Sequence, residues 1–180
     1  MKPHLSAICI LTVLALAACD KAMPRQTPPD PMAAAPPPAG APTVAGPGAG
    51  LSAGLPKRPE FPGFYLDHAG AASDPLNHQP AVTPAGQPVL LDGFGYDPVT
   101  KTPAKGVDVV VDGKAYGTTY GSPRQDVATF TKVPGLVPVG YKTVLPAGTL
   151  APGPHTAVVR VIGSDGKAYF EGPPIKFEVR

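Results

Sequence analysis

Hydrophobic and polar positions alternate most clearly in the second half of the chain. Val107, Val109 and Val111 fall on one face of an extended segment, with Asp108 and Asp112 on the other; this is the period-two pattern of a strand with one buried face. Asp112-Gly113 is a tight-hairpin pair, and Ala115 to Tyr120 is expected to return beside the first strand. A second hairpin repeats the form. His155 through Ile162 runs out, Ser164-Asp165-Gly166 turns, and Lys167 through Glu171 comes back, with Pro152-Gly153-Pro154 marking the turn before it. Val89-Leu90-Leu91 leading into Phe94-Gly95-Tyr96 predicts another strand. Tyr141 to Leu145, Ile175 to Val179 and Phe64-Tyr65-Leu66 predict three more. Residues 121–138 form a long connection in which Asp126-Val127-Ala128-Thr129-Phe130 predicts one helical turn, with Asp126 as its cap. No amphipathic helical repeat of useful length interrupts this pattern. The fold class is therefore an all-β, single immunoglobulin-like β-sandwich over residues 63–180, roughly 115 residues and enough for one apolar core.

Upstream the pattern changes twice. From Ala22 to about Pro62 the chain is dominated by Pro, Ala and Gly, as in Pro28-Pro29-Asp30-Pro31, Pro36-Pro37-Pro38 and Gly46-Pro47-Gly48-Ala49-Gly50. Proline removes backbone donors, glycine adds chain entropy, and too few large apolar residues are present to form a core. Residues 19–62 are thus expected to be a disordered tether with polyproline-II character. Such a tether spans about 120 Å if wholly polyproline II and about 35 Å as a flexible coil. Its proline motifs also have the composition of ligands for aromatic grooves, although a spacer is the preferred reading. Lys57-Arg58-Pro59-Glu60, at its far end, reads as a solvated boundary.

Before the tether, Lys2 precedes an apolar run from Leu5 through Ala17, broken only by Ser6 and Thr12, and the run ends in Leu16-Ala17-Ala18-Cys19. It has the length of a signal peptide and is too short to cross a bilayer, which takes about 20 apolar residues. Its end resembles the lipobox of bacterial lipoproteins. The resemblance implies removal of residues 1–18 and lipidation of Cys19, with diacylglycerol on its sulfur and a further chain such as palmitate on its amine. Two or more acyl chains anchor durably where one binds marginally. The alternative is an ordinary secretory signal cut after Ala15-Leu16-Ala17, releasing a soluble periplasmic protein. Cys9 lies within the removed segment, so a mature chain starting at Cys19 has one cysteine and no internal disulfide.

Five motifs follow one another through the folded part: Tyr65-Leu66-Asp67-His68-Ala69-Gly70, Gly93-Phe94-Gly95-Tyr96-Asp97, Gly106 through Gly113, Arg124-Gln125-Asp126-Val127, and Leu150 through His155. Their order is similar to that in immunoglobulin-like β-sandwich modules of bacterial envelope proteins, also found appended to some membrane glycosyltransferases. Phe94-Gly95 stands where those modules usually have Trp-Ala, and Gln125 where they have Pro. The resemblance brings no catalytic residues with it.

Charge and candidate chemistry are sparse. The formal net charge is +2, and no basic run is long enough to suggest nucleic acid. His68 and His78 with Asp67 and Asp74 are the closest grouping of metal-ligand types, but their spacing matches no compact zinc pattern, so no metal and no cofactor are expected. Asp92, Asp97, Asp108, Asp112 and Asp165 lack the dense oxygen cage that calcium requires and are assigned to turns and solvent faces. No serine sits in Gly-x-Ser-x-Gly and no carboxylate pair has a glycosidase setting, so the chain is not expected to be an enzyme. Arg124 and Asp126, with Tyr120 and Tyr141 expected nearby, are the candidate binding residues for an anionic or sugar partner.

Two classes of function stay open. One is a lipid-anchored, non-catalytic envelope protein whose sandwich is a protein-interaction or accessory module, docking through an edge strand. The other is a glycan-binding lipoprotein that takes peptidoglycan or a surface polysaccharide. The absence of tryptophan favours the protein partner. Asp20 resembles a signal for retention in the inner membrane, but the outer membrane facing the periplasm is preferred.

Overall fold

The structure is a computed structural model that describes residues 50–180. The signal segment, Cys19 and the tether as far as residue 49 lie outside the described residues. The domain is all-β, two sheets packed face to face. One sheet runs β2 (Ala72–Ser73), β1 (Gly63–Ala69), β4 (Val89–Asp97), β9 (Gly140–Leu145) and β8 (Thr119–Ser122), with β5 (Thr102–Pro103) beside β4. The other runs β3 (Ala81–Thr83), β12 (Ile175–Val179), β10 (Gly153–Ile162), β6 (Gly106–Val111) and β7 (Lys114–Gly117), with β11 (Tyr169–Glu171) beside β10. These pairs are antiparallel, except that β3 runs parallel to β12.

Alternation builds the core. Phe64 and Leu66 from β1, Val89 and Leu91 from β4, and Tyr141 and Leu145 from β9 meet Val107, Val109 and Val111 of β6, Val159 and Val161 of β10, and Ile175 and Phe177 of β12. Each of these is buried, and each fully buried aliphatic side chain contributes about 1.5–3 kcal/mol relative to exposure. Gly95 takes the inward place between Val107 and Val161, where a Cβ would already touch Val107 Cγ2 at 2.8 Å.

Three features differ from the sequence reading. The return strand expected from Ala115 to Tyr120 is broken: β7 pairs with β6 in one sheet, and β8 pairs with β9 in the other. The break falls at Thr118, whose hydroxyl, rather than a backbone N–H, donates to the Val107 carbonyl at 2.7 Å. The ladder ends there and the chain crosses between sheets.

The long connection holds a fuller helix, α1 (Gln125–Thr131), followed by a 3-10 turn (Pro134–Leu136). Its N-cap is Arg124, and no side-chain cap bond is made. Asp126 sits inside the first turn and is drawn to the Arg124 guanidinium instead.

Residues 50–62, assigned to the tether from composition, lie on the sandwich. The backbone N–H groups of Leu51 and Ser52 donate to the two carboxylate oxygens of Asp108 at 3.1 and 2.7 Å, and Ser52 is 3% exposed. Lys57 pairs with Glu171 and Arg58 with Asp165, so this stretch is not a free boundary. Asp108 itself is fully buried, and Asp97 nearly so; neither lies on a solvent face. Asp97 accepts from the N–H groups of Val99, Thr100 and Ser164 and from the Ser164 hydroxyl. Burial alone would raise its pKa, and these donors outweigh burial and lower it.

Candidate functional site

The outer face of the first sheet carries a groove that begins with a backbone irregularity. In β1, Leu66 pairs with Gly93 and His68 with Asp92, leaving Asp67 as an extra residue between them. A bulge of this kind re-aims a side chain. Here Asp67 and His68 are both left half-buried, and the Asp67 carboxylate reaches Arg124 Nη1 at 2.5 Å. Arg124 reaches it from the chain beyond β8, where its N–H donates to the Val137 carbonyl at 2.7 Å.

Arg124 is fully engaged. Its Nε and Nη2 donate to the two oxygens of Asp126 at 3.0 and 2.7 Å, and its guanidinium lies 5.2 Å from the centre of the Phe94 ring. Hydrogen bonds from Arg124 hold the Asp126 carboxyl below the usual carboxylate range, and the same bonds raise the guanidinium above its ordinary value.

Phe94 is the centre of an aromatic row. Tyr65 stacks on one side at 6.2 Å and 14°, and Tyr96 on the other at 6.3 Å and 11°. Phe94 and Tyr96 both pack against the satellite cluster of Val127, Leu136 and Val139. Tyr65, Phe94, Asp126, Val127 and Phe130 line a cavity of about 360 Å³. Phe130 is 87% exposed. Tyr65 is locked in place because its hydroxyl donates to Asp74 and accepts from Asn77 Nδ2. The bond to Asp74 pushes the phenol up to about 12 and, with Asn77, draws the Asp74 carboxyl down.

Arg124 and Asp126, two of the four candidate residues, therefore meet at one site. Tyr120 and Tyr141 belong elsewhere. Tyr141 is buried, and its hydroxyl donates to the Tyr65 carbonyl at 2.9 Å. Tyr120 packs against the main core, donates to the Gly95 carbonyl at 2.7 Å and accepts from Ala104 N–H. Both phenols are raised by burial, Tyr120 to about 12, and both are spent on the sandwich itself. Tyr65, Phe94, Phe130 and Asp67 were not singled out from the sequence as binding residues. The alternation of β4 holds the one usable signal: with Leu91 and Gly95 inward, Phe94 must face out.

The histidine and aspartate grouping does not converge. His68 Nδ1 is 2.8 Å from Asp92, whereas His78 lies near Asp74, whose carboxylate is occupied by Tyr65 and Asn77. Among the described residues, no group of three His, Cys, Asp or Glu side chains is placed to hold a metal ion. The polar atoms lining the groove are already hydrogen-bonded and its lining is mostly aromatic, an arrangement that suits binding by contact. Comparison with protein-family models, with curated proteins and with solved structures returns no match to this chain.

Proposed function

We propose that this is a lipid-anchored, non-catalytic envelope protein, held through Cys19 at the outer membrane facing the periplasm, whose immunoglobulin-like sandwich is an interaction module for another envelope protein. The observation that carries the interaction reading is the groove of Tyr65, Phe94 and Val127 beside a phenylalanine that is 87% exposed. Leaving a ring of that size in water forgoes burial worth about 1.5–3 kcal/mol, and a partner that covers it recovers this. The lipobox resemblance of Leu16-Ala17-Ala18-Cys19 supports the anchor.

In-cell crosslinking of the tagged chain, with Cys19→Ala and Phe130→Ser controls, tests both halves. A discrete protein partner that is lost in Phe130→Ser and reduced in Cys19→Ala is expected. An unacylated mature N-terminus by mass spectrometry would remove the anchor. No partner in wild type would remove the module.

The exposed Phe130 ring beside the groove also favours a second reading, a glycan-binding lipoprotein, because sugar faces stack on open aromatic rings. Retention on purified peptidoglycan or surface polysaccharide, lost in Phe130→Ser, supports that reading over the first.

A further inference from the structure

We propose that the outer edge of β11 is an acceptor site for an extended strand carrying two adjacent basic residues, that residues 56–58 of this chain fill it in cis, and that a segment of the same chemistry from the partner protein takes their place. The inference rests on the reading of the domain as a protein-interaction module and gives it a second surface, on the other sheet from the groove.

The occupant in cis shows what the site accepts. The Tyr169 N–H donates to the Pro56 carbonyl at 3.0 Å, and the Arg58 N–H donates to the Tyr169 carbonyl at 2.8 Å, so Lys57 stands opposite Tyr169 in a parallel bridge. β11 is paired with β10 on its other side, and the segment is therefore added as one more strand. Successive side chains of an extended strand point to opposite sides. Lys57 and Arg58 accordingly reach different acids, with Lys57 Nζ 2.7 Å from Glu171 and Arg58 Nη2 3.0 Å from Asp165. The Arg58 guanidinium also lies 5.6 Å from the centre of the Phe170 ring. A strand with Lys-Arg in this register meets backbone groups, two carboxylates and a ring face together.

The cis segment is fastened so that it can leave without the sandwich. None of residues 50–61 belongs to the apolar core, Ser52 is the only one of them that is buried, and Leu51 and Phe61 are 56% and 63% exposed. A segment with so few buried apolar contacts opens below the free energy of global unfolding. Its departure strands no charge. Asp108, which accepts from the Leu51 and Ser52 N–H groups, stands opposite Arg160 in the β6–β10 ladder, and Glu171 keeps Arg160 Nε at 2.9 Å.

A partner strand has bonds to gain that the cis segment lacks. Alternate residues of an antiparallel strand turn both backbone groups to the same edge, so Glu171 offers its N–H and C=O beside those of Tyr169. Residues 50–62 make no backbone bond to Glu171. A strand that runs on past this point takes them. A second copy of this chain brings no such gain, because its segment is identical to one already present in cis at an effective concentration on the order of millimolar.

The test uses the full chain in detergent and the probe fluorescein-Ala-Gly-Leu-Pro-Lys-Arg-Val-Thr-amide, which is residues 53–58 continued by two strand formers, followed by anisotropy. Saturable binding is expected, about tenfold tighter to the Lys57→Ser/Arg58→Ser double variant, whose cis segment has lost its cations, than to wild type. Gln-Gln in place of the probe's Lys-Arg weakens binding about tenfold, and that difference shrinks at high salt. The probe substitution changes no residue of the protein, so its effect is independent of folding. Equal binding of the two probes overturns the proposal, and so does absence of binding to the double variant. Amide exchange at Arg58 and Tyr169 that proceeds in wild type only with global unfolding overturns it as well. A wild-type dimer dissolved by the probe overturns the partner as occupant in favour of a second copy. Each of these outcomes leaves the crosslinking result with Phe130→Ser untouched, so the interaction reading is decided separately.

Discussion

Replacing Asp108 with asparagine tests why a proline- and glycine-rich stretch lies on the sandwich at all. Asp108 is fully buried, and its two oxygens accept the N–H groups of Leu51 and Ser52. Gly50 approaches so closely that a Cβ there would overlap the carboxylate and touch Ala115 Cβ at 2.8 Å, so only glycine admits this path. Asparagine keeps the shape and one acceptor oxygen, but turns an amide donor toward the second N–H. A hydrogen bond to a charged group contributes about 1.5–3 kcal/mol, and a neutral one about 1 kcal/mol. Losing one such bond and weakening the other therefore costs about 2–4 kcal/mol. For a domain of this size that lowers the melting temperature by about 6–15 °C. Thermal unfolding by circular dichroism reads the global effect, and amide exchange at Ser52 reads the local one. A variant with unchanged melting temperature and unchanged Ser52 protection would refute the claim that the carboxylate holds the segment.

Three further outcomes follow from the geometry. Both ring nitrogens of His155 face acceptors, Asp112 Oδ2 at 2.6 Å and the Ala151 carbonyl at 2.7 Å; burial alone would lower its pKa, and these partners outweigh burial and raise it. The resulting stability is fully present below about pH 6.5 and lost as pH rises through the raised folded value. Asp112, held low by His155 and by the Thr156 N–H against the opposing effect of burial, loses its contribution only as pH falls through its depressed folded value. The stability advantage of wild type over His155→Gln is thus largest between about pH 4.5 and 6 and smaller at pH 9; denaturant midpoints across that range check it, and a flat difference would contradict the imidazolium. Gly93→Ala places a Cβ into the Tyr65 carbonyl oxygen, a backbone atom, and 2.9 Å from the Tyr141 hydroxyl. It is expected to cost about 1–3 kcal/mol or more in urea unfolding, whereas Gly117→Ala, with open space around it, stays within about 0.5 kcal/mol. Arg124→Met leaves Asp67 and Asp126 without their shared cation and is expected to cost about 1–2 kcal/mol; a cycle with Asp67→Asn that proves additive would mean the pair is uncoupled.

The strands were legible because each has one face in a shared core. Leu91 and Gly95 inward, Phe94 and Tyr96 outward, is a statement about period two, and β4 obeys it over its whole length. The same rule, applied to β9, would have placed Tyr141 with Thr143 and Leu145 inside, where its hydroxyl finds a backbone carbonyl. Reading Tyr120 and Tyr141 as site residues gave weight to their polar atoms, which hydrogen bonds to the backbone satisfy without any ligand. Arg124 and Asp126 were legible as a pair because a guanidinium and a carboxylate two residues apart find each other locally. Asp67 was not, because its reach depends on one extra residue in a ladder, and nothing in the identity of Leu66, Asp67 or His68 announces a bulge.

Composition failed for a different reason at residues 50–62. A linker is recognised by what its side chains lack, yet this segment is held partly through its backbone N–H groups, which every residue except proline carries. The acceptor, Asp108, stands at a strand position where alternation predicts solvent. A carboxylate on an outer face is a solvated charge when nothing crosses it and a clamp when a chain does, and the distinction lies 56 residues away in sequence. The groove has the same character. Its lining comes from β1, β4 and α1, and its rigidity from Asp74 and Asn77 in a turn after β2, so the aromatic row exists only once the sandwich has brought those pieces together.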